Sequence, residues 1–560
     1  MKYALVLVNI KGLGVKTFSY LIPDEMREKI QIGQAVLVPF GRQGLINAFI
    51  VGFSDYLPGD FKAKKINKIL DETPLFSLKY LKLLEWVANY YCTDFVTVLN
   101  AALPMKLIEK NAKVALAVSL LKDDGEGLTK RQKEILVLLK EKGKCSLIEF
   151  EELAKTTRTT MKKLEENGFI KIEEEYIYRN PLSIFKDVET EPLFELAGEQ
   201  ITAYEGIKGK LRSQSPILLH GVTASGKTEV YFKLIKDVID SGKNVLFLAP
   251  EIALASQLTK RLARKFGIKD VAIWHSSISD GEKYDVWQRL FKNEIKILAG
   301  ARSAVFAPLQ NIGLIIIDEE HEASYKSDMT PKYDTIDAAV ERGRISDAVV
   351  VLGTATPSVV SEYRAEKGIY KQLFLRKRYN KTPLPDVSIT DMRDELKKGN
   401  RSIFSRELFT RIKSCLAAGS QVILFINRRG YSSFVSCRMC GYVMKCPVCD
   451  VSLTYHKSSG MAECHYCGRR VRVPKACPSC GSPHIRHFGI GTEKVEEITN
   501  ETFPEASVAR LDLDTARKKG EAERILSSFS KGKTDILVGT QLVAKGLDIA
   551  NVGLVGIIAA

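Results

Sequence analysis

The sequence predicts a multidomain α/β protein built on parallel sheets, and three observations carry that prediction. From about residue 195 onward, continuous apolar runs alternate with amphipathic stretches, as strands buried on both faces do when helices cross over between them. A glycine-rich loop sits where a strand should give way to a helix. Eight of the 11 cysteines fall between Cys437 and Cys480, and interrupt the second half of that α/β pattern.

Taken in order, residues 1–105 read as a small β-rich unit with a helical end. Strand-like runs at Gln34–Pro39 and Ile46–Phe53 alternate with turn residues, and a helical period covers Leu78–Tyr91. Residues 110–180 read as a winged helix. T-K-R-Q-K-E-I-L-V-L-L-K, S-L-I-E-F-E-E-L-A and T-T-R-T-T-M-K-K-L-E-E-N form three helical segments, and Gly168 ends the third before the alternating G-F-I-K-I-E-E-E-Y-I-Y. Such a module docks either DNA or protein. One α/β unit follows at 195–375, with P-I-L-L-H, N-V-L-F-L-A-P, K-I-L-A-G, L-I-I-I-D and A-V-V-V-L-G as strands. A second follows at 376–560, with Q-V-I-L-F-I-N and D-I-L-V-G-T. The cysteine-rich insertion occupies 434–487 of the second unit.

Composition narrows the class. The 560 residues are 45% hydrophobic and 27% charged, which excludes wholesale disorder and fibrous repeats. No apolar run is long enough to span a bilayer. The apolar start breaks at Asn9 and Lys11 with no small-residue cleavage site after it, so the expected location is the cytoplasm. A net charge of +16, from 83 basic and 67 acidic residues, favours a polyanionic partner.

The chemistry sits in three motifs. G-V-T-A-S-G-K-T (Gly221, Val222, Thr223, Ala224, Ser225, Gly226, Lys227, Thr228) follows a buried strand and opens a helix. Its backbone N–H groups can close on phosphates, Lys227 can reach the β and γ phosphates of ATP, and Thr228 can ligate Mg²⁺. L-I-I-I-D-E-E-H places Asp318 at a strand end to hold Mg²⁺ and Glu319 to orient the attacking water. His321 either couples to the next motif or fills a structural role. G-T-A-T-P-S (Gly353–Ser358) either links nucleotide state to domain closure or simply turns the chain. The pairs Cys437/Cys440, Cys446/Cys449, Cys464/Cys467 and Cys477/Cys480 supply two Cys₄ tetrahedra, which fits two structural Zn²⁺ ions. The insertion carries eight Lys/Arg against Asp450 and Glu463, a net +6, with surplus His456, His465, His484 and His487 and the aromatics Tyr455 and Tyr466. Its surface contacts either nucleic acid or protein.

With these motifs in this order, and with V-P-F-G-R, L-A-P-E-I-A-L, H-S-S-I-S-D-G-E, A-R-S-A-V-F-A-P, I-N-R-R-G-Y and G-T-Q-L-V-A-K-G, the sequence closely resembles the primosomal protein N′ family of bacterial replication-restart DNA helicases. The likeness covers essentially the whole chain. It implies two RecA-like helicase lobes with a two-zinc insertion, preceded by a small β-rich DNA-binding domain and a winged helix. The implied activity is ATP-driven 3′→5′ DNA unwinding at stalled or collapsed forks, followed by primosome assembly. Forked and single-stranded DNA, primosome and helicase-loading proteins and the single-stranded DNA-binding protein are the implied partners. Phe18, Gly41 and Lys64 fall where the family contacts a 3′ terminus, and Ser19 stands where some members have aspartate. Gln200 matches the adenine-side glutamine and Arg302 a stretch lining the DNA track. Tyr325 and Tyr333 fall in the loop coupling DNA binding to hydrolysis, where P-K-Y-D-T-I-D departs from the family's P-R-Y-H-A-R-D. The family's zinc pairing is first with fourth and second with third.

The sequence stops at G-L-V-G-I-I-A-A, inside an apolar run expected to be a buried strand, whereas the family continues with a Q-V-A-G-R-A-G-R motif and a further domain. A truncated chain with an incomplete second lobe is therefore expected. Two alternatives stand beside the helicase: a non-catalytic fork-binding scaffold, and another superfamily-2 translocase.

Overall fold

The computed structural model describes every residue except 1, 58–61, 72, 104–113, 124–127, 177–181, 183–189, 210–214, 380–382, 384, 427–432, 438, 457–458, 489–490, 513–514, 516–520, 541–542, 544–548, 550 and 559–560. The I-N-R-R-G-Y and G-T-Q-L-V-A-K-G motifs lie largely outside the described residues. The chain divides into two compact units, Met1–Pro383 and Leu384–Ala560.

The first unit begins with β1 (Tyr3–Val8), β2 (Thr17–Leu21), β3 (Ala35–Pro39), β4 (Leu45–Ser54) and β5 (Lys68–Ile69), in the order β2-β1-β4-β3-β5. Its main pairings are antiparallel and close over Val6, Tyr20, Val36, Val38 and Ile50. Helices α1 (Leu78–Tyr90) and α2 (Phe95–Ala102) follow, started by Ser77 and Asp94, whose side chains accept first-turn N–H groups.

Next comes the helical module: β6 (Val114–Leu120), α3 (Lys130–Lys142), β7 (Cys145–Ser146), α4 (Leu147–Leu153), α5 (Arg158–Glu166) and β8 (Ile170–Tyr176). The three helices match the sequence reading. The strand β8 pairs with β6, which precedes the helices and which the sequence reading missed. Ile135, Leu136, Leu139, Phe150, Met161 and Leu164 form a core of their own.

The rest of the first unit is α6 (Glu199–Lys208), β9 (Ile217–Gly221), α7 (Lys227–Asp240), β10 (Asn244–Leu248), α8 (Ile252–Phe266), β11 (Val271–Trp274), α9 (Asp280–Phe291), β12 (Ile297–Gly300), β13 (Ile312–Asp318), α10 (Thr335–Ser346), β14 (Val349–Thr354), α11 (Val359–Glu366) and β15 (Lys371–Leu375). The seven strands run parallel in the order β11-β12-β10-β13-β14-β9-β15. Central strands are buried residue after residue, which is why their sequences read as unbroken apolar runs. Helix α1 is not confined to the N-terminal sheet: Tyr80, Leu83, Leu84 and Val87 belong to the same core as this seven-stranded sheet. Trp287 Nε1 donates to the Leu75 carbonyl at 2.9 Å, and the Tyr91 hydroxyl meets Asp337 Oδ2 at 3.3 Å.

The second unit contains α12 (Met392–Lys397), α13 (Arg406–Ala417), β16 (Gln421–Ile426), β17 (Ser433–Cys437), β18 (Thr454–His456), β19 (Met461–Glu463), β20 (Arg470–Arg472), β21 (Ile485–Phe488), α14 (Thr492–Thr502), β22 (Val508–Leu511), α15 (Glu521–Ser530), β23 (Ile536–Gly539) and β24 (Val552–Ile558). A parallel sheet of order β22-β23-β16-β24 is interrupted after β16 by an antiparallel sheet of order β20-β19-β18-β17-β21. The final apolar run is a strand, as expected, but not one buried on both faces. At the end of the sheet among the described residues, β24 leaves Val555 and Ile557 more than half exposed, while Ile558 turns inward.

Candidate nucleotide and metal sites

The turn from β9 into α7 sets the phosphate loop. Ala224 (φ +61°) and Gly226 (φ +82°) both take left-handed backbone. At Gly226 a Cβ would lie 2.1 Å from Gln200 Nε2 and displace its amide, and the left-handed backbone strains any other residue there. Lys227 folds back and donates from Nζ to the Gly221 carbonyl at 2.8 Å. Thr228 occupies the first turn of α7, and Thr223 and Ala224 are exposed. Val222 donates its N–H to the Leu375 carbonyl, which anchors the loop to β15. Buried Ser225 has a hydroxyl with no partner among the described residues, a polar group inside the loop that an incoming acceptor would satisfy. Gln200 is buried and braces the loop, donating from Nε2 to the Ser225 carbonyl at 3.0 Å and accepting from Ala197 N–H at 3.1 Å.

Two strands away, β13 ends in Asp318. Burial, then the neighbouring Glu319 charge, push its carboxyl up to about 6, with Lys227 opposing. The Tyr231 hydroxyl on α7 donates to Asp318 Oδ1 at 3.1 Å. Glu319 follows at φ +49°, a left-handed position at the strand end. His321 Nδ1 lies 2.8 Å from Thr354 Oγ1, so the D-E-E-H and G-T-A-T-P-S segments touch directly. Glu320, almost fully buried, accepts from Ser358 N–H at 2.8 Å and from the Ser358 and Ser361 hydroxyls at 3.0 and 2.8 Å. The sequence reading missed Glu320 and Tyr231. Only Tyr231 left a signal, since it lies one turn after Lys227 on the same helix face.

Arg302 donates to the Ser324 and Lys326 carbonyls at 3.4 and 2.6 Å and shapes the loop that holds Tyr325 and Tyr333. The buried Tyr325 hydroxyl donates to the Asp318 and Leu248 carbonyls at 2.7 and 3.1 Å, directly beneath the acidic strand end. Tyr333 packs edge-on against Phe306, and burial raises its hydroxyl pKa to about 12.

In the N-terminal sheet, Phe18 packs edge-on against Phe40 at 5.0 Å between ring centroids, which brings it beside the turn at Gly41 (φ +49°). Leu21 N–H donates to the Lys64 carbonyl at 2.9 Å, and Lys64 is exposed. The three residues named from the sequence thus gather around β2.

The cysteines form two sets, Cys437/Cys440/Cys477/Cys480 and Cys446/Cys449/Cys464/Cys467, with ligand atoms within 4.8 Å of one another in each. Sulfur separations of 3.6, 3.6 and 3.7 Å match the edge of a tetrahedron with bonds of about 2.3 Å. Each Cys-x₂-Cys turn closes with a backbone bond onto its first cysteine. The residue after the second cysteine has positive φ: Gly441, Asp450, Gly468 and Gly481. Backbone N–H groups favour the thiolate at one cysteine of each set, while the neighbouring sulfurs push Cys449 and Cys480 up. The Tyr442 N–H draws the Cys440 thiol down to about 7, and those of Cys449 and Val448 do the same for Cys446. His456 and His465 meet across this surface at 3.2 Å.

These features define a helicase with a nucleotide-binding lobe and a cysteine-rich insertion. Residues 200–363 match the DEAD/DEAH box helicase family and 487–560 the helicase conserved C-terminal domain. The 3′ DNA-binding domain family matches 5–104, and the PriA DNA helicase Cys-rich region matches 446–472. Over 638 residues the chain is 39% identical to the Replication restart protein PriA of Bacillus subtilis (strain 168), covering all of this chain and 79% of that relative. For the Synechocystis sp. protein of the same name, identity is 37% over 652 residues, with all of this chain and 77% of the relative covered. The chain belongs to the replication restart protein PriA family. Among solved structures, the DUF1998 helicase MrfA bound to DNA and AMPPNP aligns at 14% identity and a TM-score of 0.40, over 81% of this chain and 50% of that one. Among the described residues, no helix is long and apolar enough to cross a membrane.

Proposed function

We propose that this chain is an ATP-dependent 3′→5′ DNA helicase that recognises stalled or collapsed replication forks and initiates primosome assembly. The observation that carries the proposal is one sheet holding a phosphate loop and an acidic strand end two strands apart, joined by the Tyr231–Asp318 hydrogen bond, in a chain that also has the 3′-end module and the cysteine insertion.

Lys227 leaves the Gly221 carbonyl for the β and γ phosphates of ATP, and the loop N–H groups from Val222 to Thr228 surround them. Gln200 keeps the loop in shape from the adenine side. Thr228 and Asp318 would hold Mg²⁺, which would supply positive charge to the phosphates. Glu319 orients the attacking water. His321–Thr354 and Glu320–Ser358 pass changes at the acidic segment to α11. The two Cys₄ sets would hold two Zn²⁺ ions that staple the insertion. Phe18, Gly41 and Lys64 hold a 3′ terminus, and Arg302 supports the loop along the single strand. Primosome, helicase-loading and single-stranded DNA-binding proteins are its protein partners, in the cytoplasm.

The test is ATP turnover with and without forked DNA, beside Lys227→Ala. Fork-stimulated turnover that the variant loses supports the motor. Fork binding with no turnover in either chain would leave a fork-binding scaffold in its place. Comparing forks ending in 3′-hydroxyl and 3′-phosphate separates this reading from a general translocase, which would bind both alike.

A further inference from the structure

We propose a binding site for a small oxyanion of the inorganic phosphate class at the seam between α1 and the motor sheet, remote in sequence from the phosphate loop. A cavity of about 90 Å³ lies there, lined by Ser77, Lys79, Tyr80, Arg342 and Ser346 among others, with no carboxylate among the described residues of its wall. That volume accommodates a tetrahedral anion but not a nucleotide, whose pockets run to ~300 Å³ and more.

Two independent observations point to an anion. Arg342 is 4% exposed, and its guanidinium donates to the carbonyls of Val305, Ala307 and Leu309 at 2.5, 2.6 and 3.4 Å. Among the described residues no acid pairs with it. A buried cation solvated by neutral dipoles alone is incompletely compensated. The Tyr80 hydroxyl, on a residue 6% exposed, is buried without a hydrogen-bond partner among the described residues. The ring cannot swing away, because it stacks on Phe76 and meets Trp287 edge-on. Ser77 and Tyr80 belong to the first turn of α1, whose N-terminal partial charge is positive, and Lys79 adds a cation. An anion in the cavity would join α1 to α10, the helix that carries Arg342, and so tie the 3′-end module to the motor lobe.

The experiment is calorimetric titration of the 560-residue Lys227→Ala chain with sodium phosphate at fixed ionic strength, since the phosphate loop would also take phosphate and must be disabled. Saturable binding is expected, and adding Tyr80→Phe should weaken it by on the order of tenfold, the worth of a hydrogen bond to a charged acceptor. In chloride the Tyr80→Phe chain should melt no lower than its parent, because only an unpartnered hydroxyl is lost. No saturable binding in the Lys227→Ala chain, or equal affinity with and without the hydroxyl, would overturn the proposal. Displacement of phosphate by a 5′-phosphorylated trinucleotide would assign the cavity to a DNA end and overturn the free-anion reading.

Discussion

At the scale of single residues, the acidic segment does more than its most visible member suggests. Glu320 looks like one more surface charge in D-E-E-H, yet it is 1% exposed and takes three donors from the turn leading into α11. Glu320→Ala leaves those donors facing a void. It should cost about 2–3 kcal/mol of stability, read from denaturant midpoints, and lower fork-stimulated turnover more than basal turnover. His275 sets a pH dependence. Burial, reinforced by Lys283 and opposed by Glu282, lowers its pKa to about 4, and its Nδ1 accepts from Ser277 N–H at 3.2 Å. The unfolded chain therefore binds this proton at higher pH than the folded one. The stabilisation is complete above pH ~6.5 and is lost as pH falls toward ~4. His275→Asn keeps an acceptor without the titration, so its melting temperature should fall less steeply across that window.

At the scale of elements, strands were legible in proportion to the length of their apolar runs and not to burial alone, since β11 is buried throughout yet only four residues long. L-I-I-I-D and A-V-V-V-L-G announce themselves because both faces of β13 and β14 are covered. The V-A-I-W of β11 and the K-Q-L-F-L of β15 escaped notice because they are short or half-polar runs at the ends of the same sheet. Strand β22, with Arg510 inside V-A-R-L, escaped for the same reason. The period of α1 says which of its faces is apolar but not what covers it, so its place in the motor core could not be read. Cysteine spacing supplied two tetrahedra and left the pairing to the family resemblance, which the geometry bears out. The turns of the insertion yield a prediction. Asp450 alone occupies, without being glycine, the left-handed position after its cysteine pair, with Lys445 as an ion-pair partner. Asp450→Gly should hold or raise zinc affinity, whereas Asp450→Ala should lower it, as competition with a chromogenic chelator would show. Strain of ~1 kcal/mol corresponds to several-fold.

At the scale of the whole molecule, the excess of 16 positive charges predicts salt-sensitive fork binding, with log K falling linearly in log salt. Arg469 and Arg472 are exposed on the insertion. If that face meets DNA, as its charge suggests, replacing both with serine should flatten the slope by about two in fork-binding titrations. An unchanged slope would assign the face to protein. The insertion's core is separate from those of the parallel sheet it interrupts, and four of its eight buried members are cysteines. Removing zinc should therefore abolish hydrogen-exchange protection between Cys437 and Ile485 and leave β16, β23 and β24 protected.

The nesting of the two cysteine sets also imposes a sequence of events on biosynthesis. As the chain leaves the ribosome, Cys437 and Cys440 emerge first, yet their partners Cys477 and Cys480 come last, after the inner set from Cys446 to Cys467 is complete. The inner ion can be captured while the outer half-site still waits with two cysteines. Once captured, it draws the ends of the outer loop together and lowers the entropy lost when the second ion closes it. Topology therefore favours filling the inner set before the outer, and the parallel sheet on either side can be completed only after both halves of the insertion have been made.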